Sequence, residues 1–409
     1  MVKTQITFVS SNAYSSRLAP FNFRPCTVFF PQDAVQRSLC RFKKSQRRCN
    51  ETHTRELRSN QELPRHGILQ KCQAEHTETS HEEEKEEDIS QATLIWRAIK
   101  LPMYSVALIP LTVGTAAAYW QTGQFFARRY FMLLASSALS IVWINLSNDV
   151  YDFDTGADKN KKESVVNIVG SRTGTHVAAW LALSLGFVGL TWVSLEAGSL
   201  CTMPLFFSAV FCGYIYQCPP YRLSYQGLGE PLVFAAFGPF ITNAYYLLQR
   251  TTSELPITNT VVSASILVGF TTSLILFCSH FHQIKDDKAV GKISPLVRLG
   301  TEAGAKLVKM AIVALYSLLF ILGVGQIIPL PCVFLCGLTL PVGNLVVSFV
   351  EDNHKDKTKI FMAKYYCVRL HTIFGIALAA GLVVARMLAR TQLPESIVPL
   401  KILDMIKQG

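Results

Sequence analysis

The sequence predicts an all-α membrane protein, a nine-transmembrane-helix bundle with its polar loops collected on one side. Three observations carry this. Half of the 409 residues (50%) are hydrophobic. The apolar residues fall into runs close to the ~20 residues a helix needs to cross a bilayer. Long charged segments follow every second run, so they all emerge at the same membrane surface.

The elements follow in order. Residues 1–75 hold thirteen Lys/Arg against five Asp/Glu and contain no sustained apolar run. That is the pattern of an organelle transit peptide, because a secretory signal carries an apolar core. Residues 76–94 include the acidic block at 81–88, which reads as a solvated linker. The folded domain is expected over 95–390, opening on an amphipathic stretch around Trp96 that lies on the membrane surface, with 391–409 as a tail. The nine spans run roughly Leu101–Trp120, Tyr130–Ser147, Thr175–Leu195, Thr202–Gln217, Pro231–Leu248, Thr260–His280, Leu307–Gln326, Leu330–Phe349 and Val368–Leu388. Pro and Gly interrupt the fourth and fifth, which a bundle tolerates when neighbouring helices satisfy the freed backbone groups. The eleven cysteines show no zinc or redox spacing, and Cys332 with Cys336, one helical turn apart, reads as packing.

If the first span enters from side A, the second, fourth, sixth and eighth end there. The side A loops, near 148–174, 217–230, 281–304 and 350–367, are long and rich in Asp, Lys and Arg. The side B connections are short. Function is therefore expected on side A, and the Lys/Arg excess places that side toward the cytosol or its plastid equivalent, the stroma.

Acid stands where acid is expensive. The second span runs into NLSNDVYDFDTGAD, residues 145–158, with Asp149, Asp152, Asp154 and Asp158 directly at its end. Asn145, Asn148, Asp149 and Asp152 are spaced i, i+3, i+4 and i+7, one helical face. Carboxylates at a bilayer edge are rare and functional by default, and an oxygen-rich cluster suits a hard cation such as Mg²⁺. The sixth span ends similarly, with His280, Gln283 and Asp287 on one predicted helical face and Asp286 beside them. Bases flank both clusters: Lys159, Lys161, Lys162 and Arg172 after the second span, and Lys285, Lys288, Lys292 and Arg298 after the sixth. Acid with base points to a metal-bound polyanion, and diphosphate fits, because the metal bridges its oxygens while Lys and Arg neutralise the rest. The loop after the fourth span, with Tyr216, Tyr221 and Arg222, offers aromatic faces for a flat ring or a cation, or else an interfacial aromatic belt. A diphosphate held at the mouth of a lipid-embedded bundle implies a lipid diphosphate whose tail lies among the helices. A transporter is the competing class, since intramembrane acids also mark ion paths, but it would place acids near mid-span. No nucleic-acid partner is expected.

These motifs, with PPYRLSYQGLGE (219–230) and the segment from His280 to Arg298, resemble the UbiA superfamily of intramembrane prenyltransferases, in particular its naphthoate branch. The resemblance covers residues 95–390. It implies transfer of a prenyl group, phytyl or a shorter chain such as dimethylallyl, from its diphosphate to 1,4-dihydroxy-2-naphthoate or another aromatic acceptor. With the naphthoate, the carboxylate is lost and a demethyl precursor of phylloquinone results, in a chloroplast membrane with Mg²⁺ as cofactor. It also implies catalytic roles for Asp149, Asp152 and Asp287. Asn148, Asp149, Asp152, Asp286 and Asp287 would be metal ligands, with Asp286 standing in where relatives carry Asp at the position of Gln283. Lys100, Lys162, Arg172, Lys292 and Arg298 would hold diphosphate, and Tyr216, Tyr221 and Arg222 would face the acceptor or the cation.

Overall fold

A computed structural model describes residues 100–156, 164–249 and 255–391. The predicted leader, linker and Trp96 segment lie outside the described residues, as do Asp158, Lys159, Lys161, Lys162 and all but Thr391 of the tail. Among the described residues every regular element is helical. In chain order they are α1 (Ser105–Thr122), α2 (Ala127–Thr155), α3 (Val165–Val169), α4 (Arg172–Glu196), α5 (Met203–Gln217), α6 (Gly229–Ala235), a π-helical segment (Ala236–Thr242), α7 (Asn243–Leu248), α8 (Asn259–Ser279), α9 (Ile284–Ala289), α10 (Pro295–Val324), α11 (Leu330–Gly337), α12 (Leu340–Asn353), α13 (Lys357–Ile360) and α14 (Ala363–Thr391). Among the described residues eight helical stretches are long and apolar enough to cross a membrane, and α11 with α12, bent by 41° between them, is either a broken ninth span or a re-entrant loop.

The breaks have local causes. The eighth apolar run reads as continuous but bends between α11 and α12, because Pro341 stands in the first turn of α12 and cannot complete the ladder of the turn before it. The fifth span carries Pro239 inside its π-helical segment. There Asn243 Nδ2 donates to the Pro239 carbonyl and Thr242 Oγ1 to that of Phe237, so the irregular turn keeps its acceptors satisfied at membrane depth. One turn away, a side chain on Gly238 would stand 2.7 Å from the Ser265 carbonyl and 2.9 Å from Gly269 Cα. The fifth and sixth spans therefore meet backbone to backbone, the contact that small residues permit between membrane helices. Cys332 and Cys336 are buried, with their thiols on the Leu378 and Phe374 carbonyls of α14.

The end of the sixth span is not one continuous α-helix. α8 stops at Ser279, a 3₁₀ turn covers Phe281–Gln283, and α9 restarts at Ile284. A 3₁₀ turn brings residues three apart into line, so His280 and Gln283 keep a common side although the α-helix is interrupted, and Asp287 follows on α9.

Each surface is tied by polar bonds. On side B, Arg129 reaches the Leu248 and Glu196 carbonyls, the Phe126 amide donates to Gln249, and Arg386 donates to the Trp120 carbonyl. Side A is tied more densely, and its ties build the site.

Candidate active site

The side A segments interlock around the ends of the even-numbered spans. α2 continues two turns past the apolar run and lifts the acid stripe to the surface as helix. Asp149, its side chain 1% exposed, pairs with Lys100 Nζ at 2.9 Å and accepts the Val165 amide at 3.0 Å. Lys100 precedes the first span and adopts a left-handed backbone, φ 53°. Asn148 donates its amide nitrogen to Asp152 Oδ2 at 2.9 Å, so its side-chain carbonyl oxygen is the atom that could face a cation.

Tyr225 joins the two acid clusters. Its hydroxyl lies 2.8 Å from Thr155 Oγ1 and donates to Asp152 Oδ1 at 3.3 Å. Its carbonyl accepts the Ile293 amide, and Lys292 Nζ stands 5.8 Å from its ring centre. Burial, and then the Asp152 charge, push the Tyr225 phenol up to about 12, so it stays a neutral donor. Lys292 in turn pairs with the buried Asp287 at 3.1 Å. Tyr216, in α5, lies within electrostatic reach of Asp152, Glu230, Asp287 and Tyr225. The Arg222 guanidinium sits 5.9 Å from the Tyr225 ring centre. Lys100, Asn148, Asp149, Asp152, Tyr216, Arg222, Asp287 and Lys292 thus form one neighbourhood linked through Tyr225.

Other predicted residues are placed elsewhere. Arg172 forks onto Asp154, with bonds of 3.1 and 2.6 Å. Two residues along a helix is roughly half a turn, so Asp154 faces away from Asp152 and takes Arg172 with it. Asp286 is 58% exposed and pairs with Lys357 at 3.2 Å; it projects to a different side of α9 from its buried neighbour Asp287. Arg298 donates to the Gln226 carbonyl at 2.7 Å, strapping the loop that carries Tyr225. Tyr221 is 50% exposed. Sequence reasoning passed over Tyr225, one of several tyrosines in its loop, and Glu230, whose carboxylate meets His280 Nδ1 at 3.2 Å.

The donor set suits a hard cation. It is all oxygen, and Asp287 Oδ2 is buried without a hydrogen-bond partner. Among the described residues no three His, Cys, Asp or Glu side chains converge on one point. An ion such as Mg²⁺ could be held by one or two of these carboxylates, because it completes its shell with water and substrate phosphate oxygens.

Comparison with known proteins agrees. The chain is 67% identical over 305 residues to the 2-carboxy-1,4-naphthoquinone phytyltransferase, chloroplastic, of Arabidopsis thaliana, covering 74% of this chain and 80% of that one. It is 40% identical to the 2-carboxy-1,4-naphthoquinone phytyltransferase of a Synechocystis strain, covering 69% of this chain and 91% of the relative. The structure of a UbiA homolog from Aeropyrum pernix K1 superposes with a TM-score of 0.53 at 14% identity, covering 70% of this chain and 98% of that one, which supports the fold. Residues 107–368 match the UbiA prenyltransferase family. With its helical bundle of eight or nine spans and its acid clusters interlocked on one surface, the chain belongs to the UbiA prenyltransferase family.

Proposed function

We propose that this protein transfers a phytyl group from its diphosphate to 1,4-dihydroxy-2-naphthoate, with loss of the carboxylate, to give a demethyl precursor of phylloquinone. The reaction takes place in a chloroplast membrane with the side A loops toward the stroma. The observation that carries the reading is the joining of two acid–base clusters, Lys100–Asp149 and Lys292–Asp287, through Tyr225 at the mouth of an apolar bundle. The names of the plant and cyanobacterial relatives support a carboxylated naphthalenoid acceptor and a phytyl donor. Those names give the quinone; the reduced dihydroxy form is the electron-rich ring that an allylic cation requires.

Asn148, Asp149, Asp152 and Asp287 would hold Mg²⁺. When bound, the ion supplies Lewis-acid stabilisation of the departing diphosphate. The chain's own residues do the rest. Lys100 and Lys292 stand ready to neutralise phosphate oxygens, since each already contacts a site carboxylate. Tyr225 orients Asp152, and Tyr216 and Tyr225 present aromatic faces that shield the developing cation from water. The apolar spans receive the tail.

The test is an assay of bacterial membranes carrying the full chain, with a panel of labelled prenyl diphosphates and 1,4-dihydroxy-2-naphthoate and mass spectrometry of the products. Phytylated, decarboxylated quinol is expected. Absence of product from every donor overturns the reading, and a shorter preferred chain overturns the phytyl assignment.

Two substitutions separate the placements on α9. Asp286→Asn removes only a surface pair and should leave turnover within about threefold of wild type, the scale of an exposed ion pair. Asp287→Asn should cost on the order of 100-fold. Equal losses in the two membrane assays would refute the separation. Arg298→Ala should release the strap on the loop that carries Tyr225, worth about 1.5–3 kcal/mol as a hydrogen bond from a charged group, and weaken donor binding through that loop, with Arg298→Lys recovering part because it lacks the fork. Titration of prenyl diphosphate against both variants reads this, and unchanged donor affinity in both would refute it.

A further inference from the structure

Of the carboxylates around Tyr216, Glu230 differs from the others. Asp149 and Asp287 face lysines, and Asp152 faces Asn148 and Tyr225. Glu230 meets neither lysine nor arginine among its hydrogen bonds and ion pairs. It opens α6, its own carbonyl accepts the Ser273 hydroxyl at 3.1 Å, and its Oε1 lies 3.2 Å from His280 Nδ1. His280 is 2% exposed and sits where α8 ends and the 3₁₀ turn begins. The pairing therefore fixes the Glu230 carboxylate from a second span. Its other oxygen, Oε2, is buried and has no hydrogen-bond partner. A buried acceptor left unpaired costs about 1–3 kcal/mol, more if charged, so a site built this way is built for a donor.

The neighbourhood limits what that donor is. Gly229 leaves room for the Tyr216 ring, since a side chain there would stand 2.9 Å from Tyr216 Cε2. Gly229 directly precedes Glu230, so the turn that abuts the Tyr216 ring also carries this carboxylate, and its ion pair is with His280 rather than with the lysines that hold Asp149 and Asp287. An anion is repelled by a carboxylate that no base neutralises. A neutral hydroxyl held against a flat ring is not.

We propose that Glu230, held in place by His280, binds a hydroxyl of the aromatic acceptor through its free Oε2 and takes the proton as the new bond forms. This rests on the prenyl-transfer reading above. In the step, the O–H bond breaks and its proton passes to Glu230 Oε2. The O–H electron pair becomes the π bond of a ring carbonyl, and a ring π pair forms the C–C bond to the allylic carbon. The bond from that carbon to the diphosphate breaks, and its pair leaves on the diphosphate. His280, donating through Nδ1 to Oε1, is a positioning residue.

The test uses purified full-length protein and reads binding separately from turnover. 1,4-Dihydroxy-2-naphthoate and its 1,4-dimethoxy analogue, which has no hydroxyl to donate, are titrated against wild type, Glu230→Gln and His280→Asn by calorimetry. Prenyl diphosphate with Mg²⁺ is titrated in parallel. Wild type is expected to prefer the dihydroxy ligand by about 10- to 100-fold, the range of a hydrogen bond to a charged group. Glu230→Gln should lose most of that preference, and His280→Asn part of it. Donor affinity should stay within about twofold in both variants, which also certifies their fold. Three results overturn the proposal: no hydroxyl preference in wild type, a preference unchanged in Glu230→Gln, or a donor affinity that falls with the acceptor's, which would place Glu230 in the diphosphate site. Prenyl transfer by wild type is measured in the same samples. Its absence alongside an intact hydroxyl preference refutes the prenyl-transfer reading and leaves the binding assignment standing.

Discussion

Asp149→Ala and Asp152→Ala are each expected to lower prenyl transfer by at least ~100-fold, the scale of removing a preorganised electrostatic stabiliser. EDTA should abolish the activity and Mg²⁺ restore it. The loss at position 149 has two sources. On the proposed reading the carboxylate would be a metal ligand, and it also joins Lys100 to the amide that starts α3. Its removal frees the lysine and the loop entry together. At position 152 the substitution leaves Asn148 and Tyr225 without their shared acceptor. Rates are measured in membranes after protease protection shows correct insertion. Wild-type turnover in metal-free buffer would refute the metal requirement, and turnover near wild type in either variant would remove that residue from the site.

Gly238→Val should abolish recovery of folded protein. The added atoms meet backbone, the Ser265 carbonyl and Gly269 Cα, and neither can rotate aside. The fifth and sixth spans must separate or the π-helical segment must reform, at about 3 kcal/mol or more, the upper range for overpacking. Gly337→Ala is the matched control, because nothing lies within 4 Å of a side chain there. Size-exclusion profiles and melting temperatures in detergent read both. A monodisperse Gly238→Val protein with wild-type melting would contradict the close crossing.

The spans were legible because bilayer thickness sets a length that apolar runs must meet, and eight reappear with shifted ends while the eighth predicted run is a bent helix pair. Asp149 and Asp152 were legible because a straight helix carries i, i+3, i+4, i+7 spacing directly into space. Past Ser279 the sequence did not reveal the 3₁₀ turn that interrupts the helix, nor that only Asp287, of the acidic pair, is buried. It was silent on Tyr225 for a different reason. A tyrosine in an irregular loop owes its position to hydrogen bonds from distant segments, here Ile293 and Asp152, and no local pattern encodes those. The fork of Arg172 on Asp154 likewise depends on which side of α2 faces α4.

The lysine partners of Asp149 and Asp287 bear on how a charged substrate enters. Without substrate, each of these carboxylates is already matched by an ammonium group from the protein. On the proposed reading, a bare divalent ion would meet two positive neighbours there, and like charges repel strongly where solvent is scarce. An ion accompanied by a diphosphate would bring the anion to which those ammonium groups could turn. Lys100 and Lys292 would then serve as exchangeable counter-ions, held by Asp149 and Asp287 when no substrate is bound and available to phosphate oxygens when it is. Loading metal and donor as one unit would keep the net charge of the cleft nearly constant.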